Sequence, residues 1–191
     1  MLLLLTLACF GSGEPAVVEP PSEPVKSPER IAAEAGALAR ASEGIDEVKT
    51  TFANRLHQAT GSDGLEGAVK VCSEESQGMT ALLGAETGAR VGRSSLKLRN
   101  PNNAGPQWVQ DYLKSQDGKV AVDVPGMSEV VGDTARVARA IPVEAACLGC
   151  HGERVDATVQ PLLAERYPTD QATGYHEGEL RGVVWAEVPV N

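Results

Sequence analysis

Hydrophobic positions recur at helical spacing through the first part of this chain and alternate through the last. Ile31, Leu38, Ile45, Val48, Phe52 and Leu56 predict a helix reaching about Thr60. Ser27-Pro28-Glu29 supplies its start: a side-chain cap, a proline in the first turn and an acid near the positive helix end. Gly36 and Gly44 weaken the run, so the helix bends or divides. Ser62-Asp63 opens a second helix from Gly64 to about Ser73, with Leu65, Val69 and Cys72 on one apolar face. A third spans about Glu75 to Thr87, carries Met79, Leu82 and Leu83, and stops at Gly88.

The period then changes. Ser95-Leu96-Lys97-Leu98-Arg99 alternates and predicts a strand with its basic side chains on one face. Asn100 to Asn103 is a turn, and Gln107 to Lys114 a short helix with Trp108 and Tyr112 one turn apart. Strands are predicted at Lys119–Val124 and Ala135–Val143, and a helix at Asp156–Tyr167 interrupted or restarted at Pro161. The stretch from Tyr167 to Tyr175 reads as loop, with His176 solvated just beyond it. Leu180–Val190 closes the chain as a strand, with Val184, Ala186 and Val188 opposed to Val183, Trp185 and Glu187. Helices first and antiparallel strands later predict one α+β domain over residues 29–191.

The N-terminal segment has a different character. Leu2 to Ala8 is apolar but too short to span a bilayer, and residues 1–8 read as an export signal. Leu5-Thr6-Leu7-Ala8-Cys9 is similar to a bacterial lipobox, with Cys9 as the lipidated residue. Residues 9–28 are rich in proline and glutamate and read as an extended tether. The expectation is an exported protein on the periplasmic side, touching the membrane only through its lipid anchor. A net charge of −9 argues against nucleic acid and against broad attraction to anionic lipid. Against that acidity, Arg90, Arg93, Lys97 and Arg99 form a basic run without an acid, which suits an anion seat or an exposed face.

The chemistry centres on Cys147-Leu148-Gly149-Cys150-His151. C-x-x-C-H is the attachment pattern of a c-type haem: two thiols reach two vinyl groups, and the following imidazole meets the iron. A thiol-disulfide centre would want a βαβ context, and zinc would want a second ligand pair; neither pattern is present. A simple structural disulfide is the remaining alternative. Cys72, taken alone, reads as a small buried hydrophobe. His57, near the end of the first helix, reads as a helix-terminal residue rather than a ligand.

The chain resembles the single-haem c-type domains with a PAS-like fold, found as small secreted proteins and as sensory parts of bacterial membrane receptors. The resemblance is carried by Ala68 to Cys72, by Arg90 through Pro101 with its Arg93-Ser94-Ser95-Leu96-Lys97-Leu98-Arg99-Asn100-Pro101 block, by Ile141 through Gly152, and by Tyr167 through Gly182. It implies a PAS-like antiparallel sheet with flanking helices, preceded by N-terminal helix. It also implies one covalent haem with His151 on one side of the iron and Cys72 as thiolate on the other. Arg93, Lys97 and Arg99 are then candidates for the haem propionates. The function implied is a redox or gas sensor module responding to nitric oxide or carbon monoxide, or an electron carrier docking a redox or signalling partner. A peroxidase-like enzyme is the lesser alternative, with His57 its sole distal candidate.

Overall fold

The structure, a computed structural model, describes residues 25–191. The expected export signal, Cys9 and the tether up to residue 24 lie outside the described residues. Helix α1 spans Pro28–Lys70, and Ser27 caps it as its sequence predicts, its hydroxyl accepting the Arg30 N–H at 3.2 Å. The buried face of α1 keeps Ile45 and Val48 of the expected stripe, with Leu38 packed against the same core, and adds small residues to it. Ala37, Ala41, Ile45 and Val48 are fully buried, whereas Ile31 is 56% exposed. Small side chains let the helix axis approach the sheet closely. Gly44 shows how closely, since a Cβ there would lie 3.2 Å from Cγ2 of Val91 in the sheet and 2.8 Å from the Thr87 hydroxyl at the end of the next helix.

The break expected after Thr60 is a kink at Gly64, where φ is +63° and ψ is −157°. That conformation is open to glycine and costly for any other residue. The helix continues to Lys70, widens into a π-helical turn at Val71–Glu75, and resumes as α2, Ser76–Glu86. Gly88 and Ala89 donate back to Ala85 and Gly84, which closes α2 where its glycine predicts.

Four antiparallel strands follow: β1 (Arg90–Ser94), β2 (Met127–Val131), β3 (Thr134–Pro142) and β4 (Leu180–Pro189), in spatial order β1-β4-β3-β2. Strands β2 and β3 are joined through Gly132-Asp133, with Val131 opposite Thr134 and Gly132 at φ +60°, the requirement of a two-residue primed turn. On one face of the sheet, Ala135, Val137, Val184, Ala186 and Val188 pack against α1. On the other, Ala138, Val183 and Trp185 meet Val109 and Leu113 of α3, Gln107–Ser115. The alternation expected in β4 is therefore the real one. Trp108 stands edge-on to Trp185 with ring centroids 6.0 Å apart.

Two strand expectations fail. The basic strand is Arg90–Ser94 rather than Ser95–Arg99, because its partner β4 ends pairing at Val183 opposite Ser94. Beyond that point the Ser95 hydroxyl accepts the Lys97 N–H at 3.1 Å and turns the chain away. Lys97 is consequently exposed and Arg99 buried, so the two do not share a strand face. Lys119–Val124 contributes a single bridge, Val120 to Glu179, and a 3-10 turn at Ala121–Asp123. Edge strand β2 carries too weak an alternation to be read, with Ser128, Glu129 and Val131 all exposed. The architecture is α+β, with a long N-terminal helix against a four-stranded antiparallel sheet.

Candidate functional site

Past the Gly64 kink, Leu65 and Val69 pack with Cys150, Val159, Leu163 and Tyr167. Contact with the C-x-x-C-H turn is tight: a Cβ at Gly149 would lie 2.9 Å from Leu65 Cδ1. The same helix face carries Cys72 one turn further, inside the π-helical segment. Such an inserted residue rotates the positions around it and is found often at functional sites. Ser76 Oγ donates to the Cys72 carbonyl at 2.8 Å, and Thr80 Oγ1 to Ser76 O at 2.7 Å, absorbing acceptors that the wider turn displaces.

Cys147 to His151 forms a 3-10 turn, Ala145–Cys147, running into the short helix α4, Leu148–His151. Glu144 caps it: its side chain accepts the Cys147 N–H, and its own N–H donates to Cys147 Sγ at 3.4 Å. Cys72, Cys147 and Cys150 are all free thiols. The two thiols of the motif serve different clusters. Cys147 packs with Val143, Ala172 and Tyr175, and Cys150 with Val69 and Leu163. Burial pushes the Cys150 thiol up, with Arg99 opposing it.

His151 is the most constrained of these groups. Its Nδ1 lies 2.7 Å from the Ala172 carbonyl, an acceptor only, so Nδ1 carries the proton and Nε2 keeps a free lone pair. Burial first, then the charges of Arg181 and Arg99, hold its pKa down at about 3, so the ring is neutral near neutral pH. The tyrosine ring of Tyr175 stands edge-on, with centroids 6.5 Å apart. A neutral imidazole with its outer nitrogen anchored and its inner nitrogen free is the form that binds a metal.

Around these groups the fold gathers cations. Arg99 is 8% exposed; its Nε donates to Asp170 Oδ2 at 2.9 Å, and its Nη2 to Cys150 O at 2.6 Å and Ala172 O at 3.3 Å. Arg93 lies over the Phe52 ring at 3.9 Å, and burial lowers its pKa. Arg181 lies 5.4 Å from the Tyr175 ring centre, donates to Lys97 O at 3.3 Å, and is likewise lowered by burial. Among the described residues neither Arg93 nor Arg181 forms an ion pair with a carboxylate, whereas Arg99 does. Burial pushes the Cys72 thiol up, and Arg93, Arg99 and Arg181 together pull against that rise.

The predicted site residues thus separate by position. Cys72, Cys150, His151, Arg93 and Arg99 act electrostatically within one region, with Cys147 beside it. Lys97 sits at the rim, exposed, with its Nζ 3.3 Å from Thr173 O and 4.6 Å from the centre of the Tyr175 ring. His57 is exposed on α1, and His176 is exposed between Glu153 and Glu179. Sequence reasoning missed Arg181. Its signal was a cation directly before the unbroken buried run Gly182 to Ala186. It also missed Asp170 and the Ala172 carbonyl, for which a loop sequence offers no periodicity. A cleft of about 400 Å³ beside the site is lined by Leu163, Tyr167, Asp170 and Thr173.

No curated protein matches the chain. Among solved structures it is similar to the cyanobacterial heme-protein Tll0287, at 23% identity, covering 86% of this chain and 97% of that one with a TM-score of 0.59. At that identity the likeness speaks for the fold. The family model of the Tll0287-like proteins matches residues 27–189, nearly the whole described structure. The chain belongs to the Tll0287-like family.

Proposed function

We propose that this chain binds one haem covalently and serves as a redox or gas sensor module with a PAS-like sheet. In this reading Cys147 and Cys150 would form the two thioethers, and His151 and Cys72 would hold the iron. Support comes first from His151, whose Nδ1–H is held by Ala172 so that Nε2 is free to donate. The second support is the cation set. Arg93 and Arg181 are deep guanidinium groups without a carboxylate partner among the described residues, which suits the two propionates of a haem. Arg99 is already engaged by Asp170, and Lys97 is exposed, so the propionate role falls to Arg93 and Arg181 ahead of these two. The solved relative is itself described as a heme-protein.

When bound, haem would supply a one-electron iron couple and, where Cys72 is released, a place for a diatomic gas such as nitric oxide or carbon monoxide. The protein residues set the terms. Burial pushes the Cys72 thiol up and outweighs the opposing pull of Arg93, Arg99 and Arg181, so without a further positive charge beside it the sulfur stays protonated. In this proposal an iron centre would supply that positive charge in its oxidised form more than in its reduced form, so Cys72 would be the residue able to serve as the two-state element a sensor needs. Export through residues 1–8 and lipidation at Cys9 place the module on the periplasmic side in this proposal, signalling to or exchanging electrons with a separate protein.

Expression of the full chain with haem-attachment machinery tests the assignment. Haem should stay on the polypeptide through denaturing electrophoresis and acid-acetone extraction, and leave it in Cys147→Ser/Cys150→Ser. Intact haem extracted from the unsubstituted chain would overturn the covalent reading. Spectra in both oxidation states separate the roles: Cys72 retained in both, with carbon monoxide excluded, selects the electron carrier over the sensor.

A further inference from the structure

The loop at residues 170–172 is tied to the C-x-x-C-H turn by one ion pair. Asp170 Oδ2 accepts from Arg99 Nε at 2.9 Å, while its Oδ1 accepts the Ala172 N–H at 2.7 Å. Arg99 Nη2 spans both sides, donating to the Cys150 carbonyl at 2.6 Å and to the Ala172 carbonyl at 3.3 Å. That same Ala172 carbonyl receives Nδ1–H of His151 at 2.7 Å. Arg99 and His151 therefore share one acceptor, whose position is fixed by Asp170. Gly174 N–H on Gly152 O and Tyr175 N–H on His151 O, both at 3.0 Å, complete the seam.

We propose that Arg99 and Asp170 are positioning residues that orient the His151 imidazole and set its donor strength. Two effects follow from the geometry. Orientation comes from Asp170 holding the Ala172 amide and from Arg99 bracing the carbonyls on either side of the seam. Donor strength comes from competition: a carbonyl oxygen already polarised by a guanidinium is a poorer acceptor for Nδ1–H. A weaker bond at Nδ1 leaves the ring less imidazolate-like at Nε2. Arg99 thus restrains the donor power of His151, and Asp170, by drawing charge from Arg99, partly releases it. Arg99 and Asp170 are nearly buried, with 9% and 15% of their side chains exposed, so solvent does not screen the pair as it would on the surface.

The inference rests on the haem reading, and its test keeps the two apart. In the haem-carrying protein, Arg99→Gln removes a cation and should lower the midpoint potential, whereas Asp170→Asn removes an anion and should raise it. Arg99→Lys should remain nearer the parent. Opposite shifts with haem still attached support the assignment. Shifts of the same sign, or none, would overturn it, because a merely structural clamp is broken equally from either side. If the unsubstituted chain carries no covalent haem, the haem reading falls and the pair is judged on the haem-free protein. There, ¹⁵N spectra should show His151 protonated at Nδ1 in the parent and in Arg99→Lys, and shifted toward Nε2 protonation in Asp170→Ala. An unchanged tautomer in a folded Asp170→Ala would end the proposal.

Discussion

Two glycines three positions apart in α1 should respond oppositely to the same added methyl group. At Gly64 a Cβ would meet nothing within 4 Å, so Gly64→Ala introduces no clash. Its cost is all backbone: φ +63° with ψ −157° is a region essentially restricted to glycine, worth about 1–3 kcal/mol when another residue is held there. Gly61 is also exposed and also free of neighbours within 4 Å, but its backbone is helical. Gly61→Ala should therefore stabilise the protein by about 0.5–1 kcal/mol through helix propensity alone. For a domain of this size each kcal/mol moves the melting midpoint by about 2–4 °C. The two variants should then differ by roughly 3–16 °C, with the parent between them. Urea unfolding followed by circular dichroism gives the free-energy difference directly. A second readout belongs to Gly64 alone. If the helix relieves strain by straightening, Leu65 withdraws from Gly149 and the Cys72 face rotates, so the haem spectrum should change in Gly64→Ala only. Gly64→Ala as stable as Gly61→Ala would refute the claim that the kink is a glycine conformation.

Gly92→Ala should destabilise by about 1–3 kcal/mol, because its Cβ would enter the Trp185 ring; thermal unfolding and indole fluorescence report it. Cys72→Ala should leave haem attached but move the ferric spectrum to high-spin or water-ligated form and raise the midpoint potential, since an anionic donor that favours ferric iron is gone. In the haem-free Cys147→Ser/Cys150→Ser chain, His151 has a folded pKa of about 3 against 6.5 unfolded, so only the unfolded state takes up its proton between those values. Stability should then fall as pH drops from about 6.5 toward 5, by at most about 1.4 kcal/mol per unit, and His151→Asn should flatten that slope. Arg93→Met and Arg181→Met should each lower the midpoint potential, while Arg40→Met, far from the site on α1 and bonded to Pro189 O, should not.

What the sequence disclosed and what it withheld divide along physical lines. The start of α1 at Ser27, the stop near Gly88 and the two faces of β4 are local signals, and each is found where it was read. The apolar pair Leu65 and Val69 also survives, because helical spacing is local information, whereas Cys72 lies beyond that cluster in the π-helical turn. The stripe of α1 was legible at Ile45 and Val48 but incomplete, because alanine scores weakly as a core residue, yet close helix–sheet packing selects it at positions 37 and 41. The strand Ser95–Arg99 was misplaced because alternation alone does not say where a partner strand ends. The site shows the same division. C-x-x-C-H is contiguous and legible, whereas Arg181, Asp170 and the Ala172 carbonyl come from the far end of the chain and meet it only in the fold.

The distribution of charge is the last link between sequence and site. The chain is acidic overall, at −9, yet three guanidinium groups lie close enough to Cys72 to oppose, without cancelling, the rise that burial imposes on its thiol. Arg93 and Arg181 are themselves penalised by burial, so holding them there costs stability unless an anion compensates. Within the described residues Asp170 compensates Arg99. The thiolate of Cys72 and two carboxylates of a bound ligand would supply the anions complementary to the set. On the proposed haem reading, haem retention, the Cys72 ligand and the acid strength of its thiol would all depend on the same cations. Arg93→Met/Arg181→Met should therefore do more than lower the potential: the pH at which Cys72 leaves the ferric iron should rise, because the thiolate loses its supporting charge. An acid titration of the ferric spectrum reads that midpoint directly. A midpoint that stays fixed while the potential moves would separate the propionate role of the arginines from any role at Cys72.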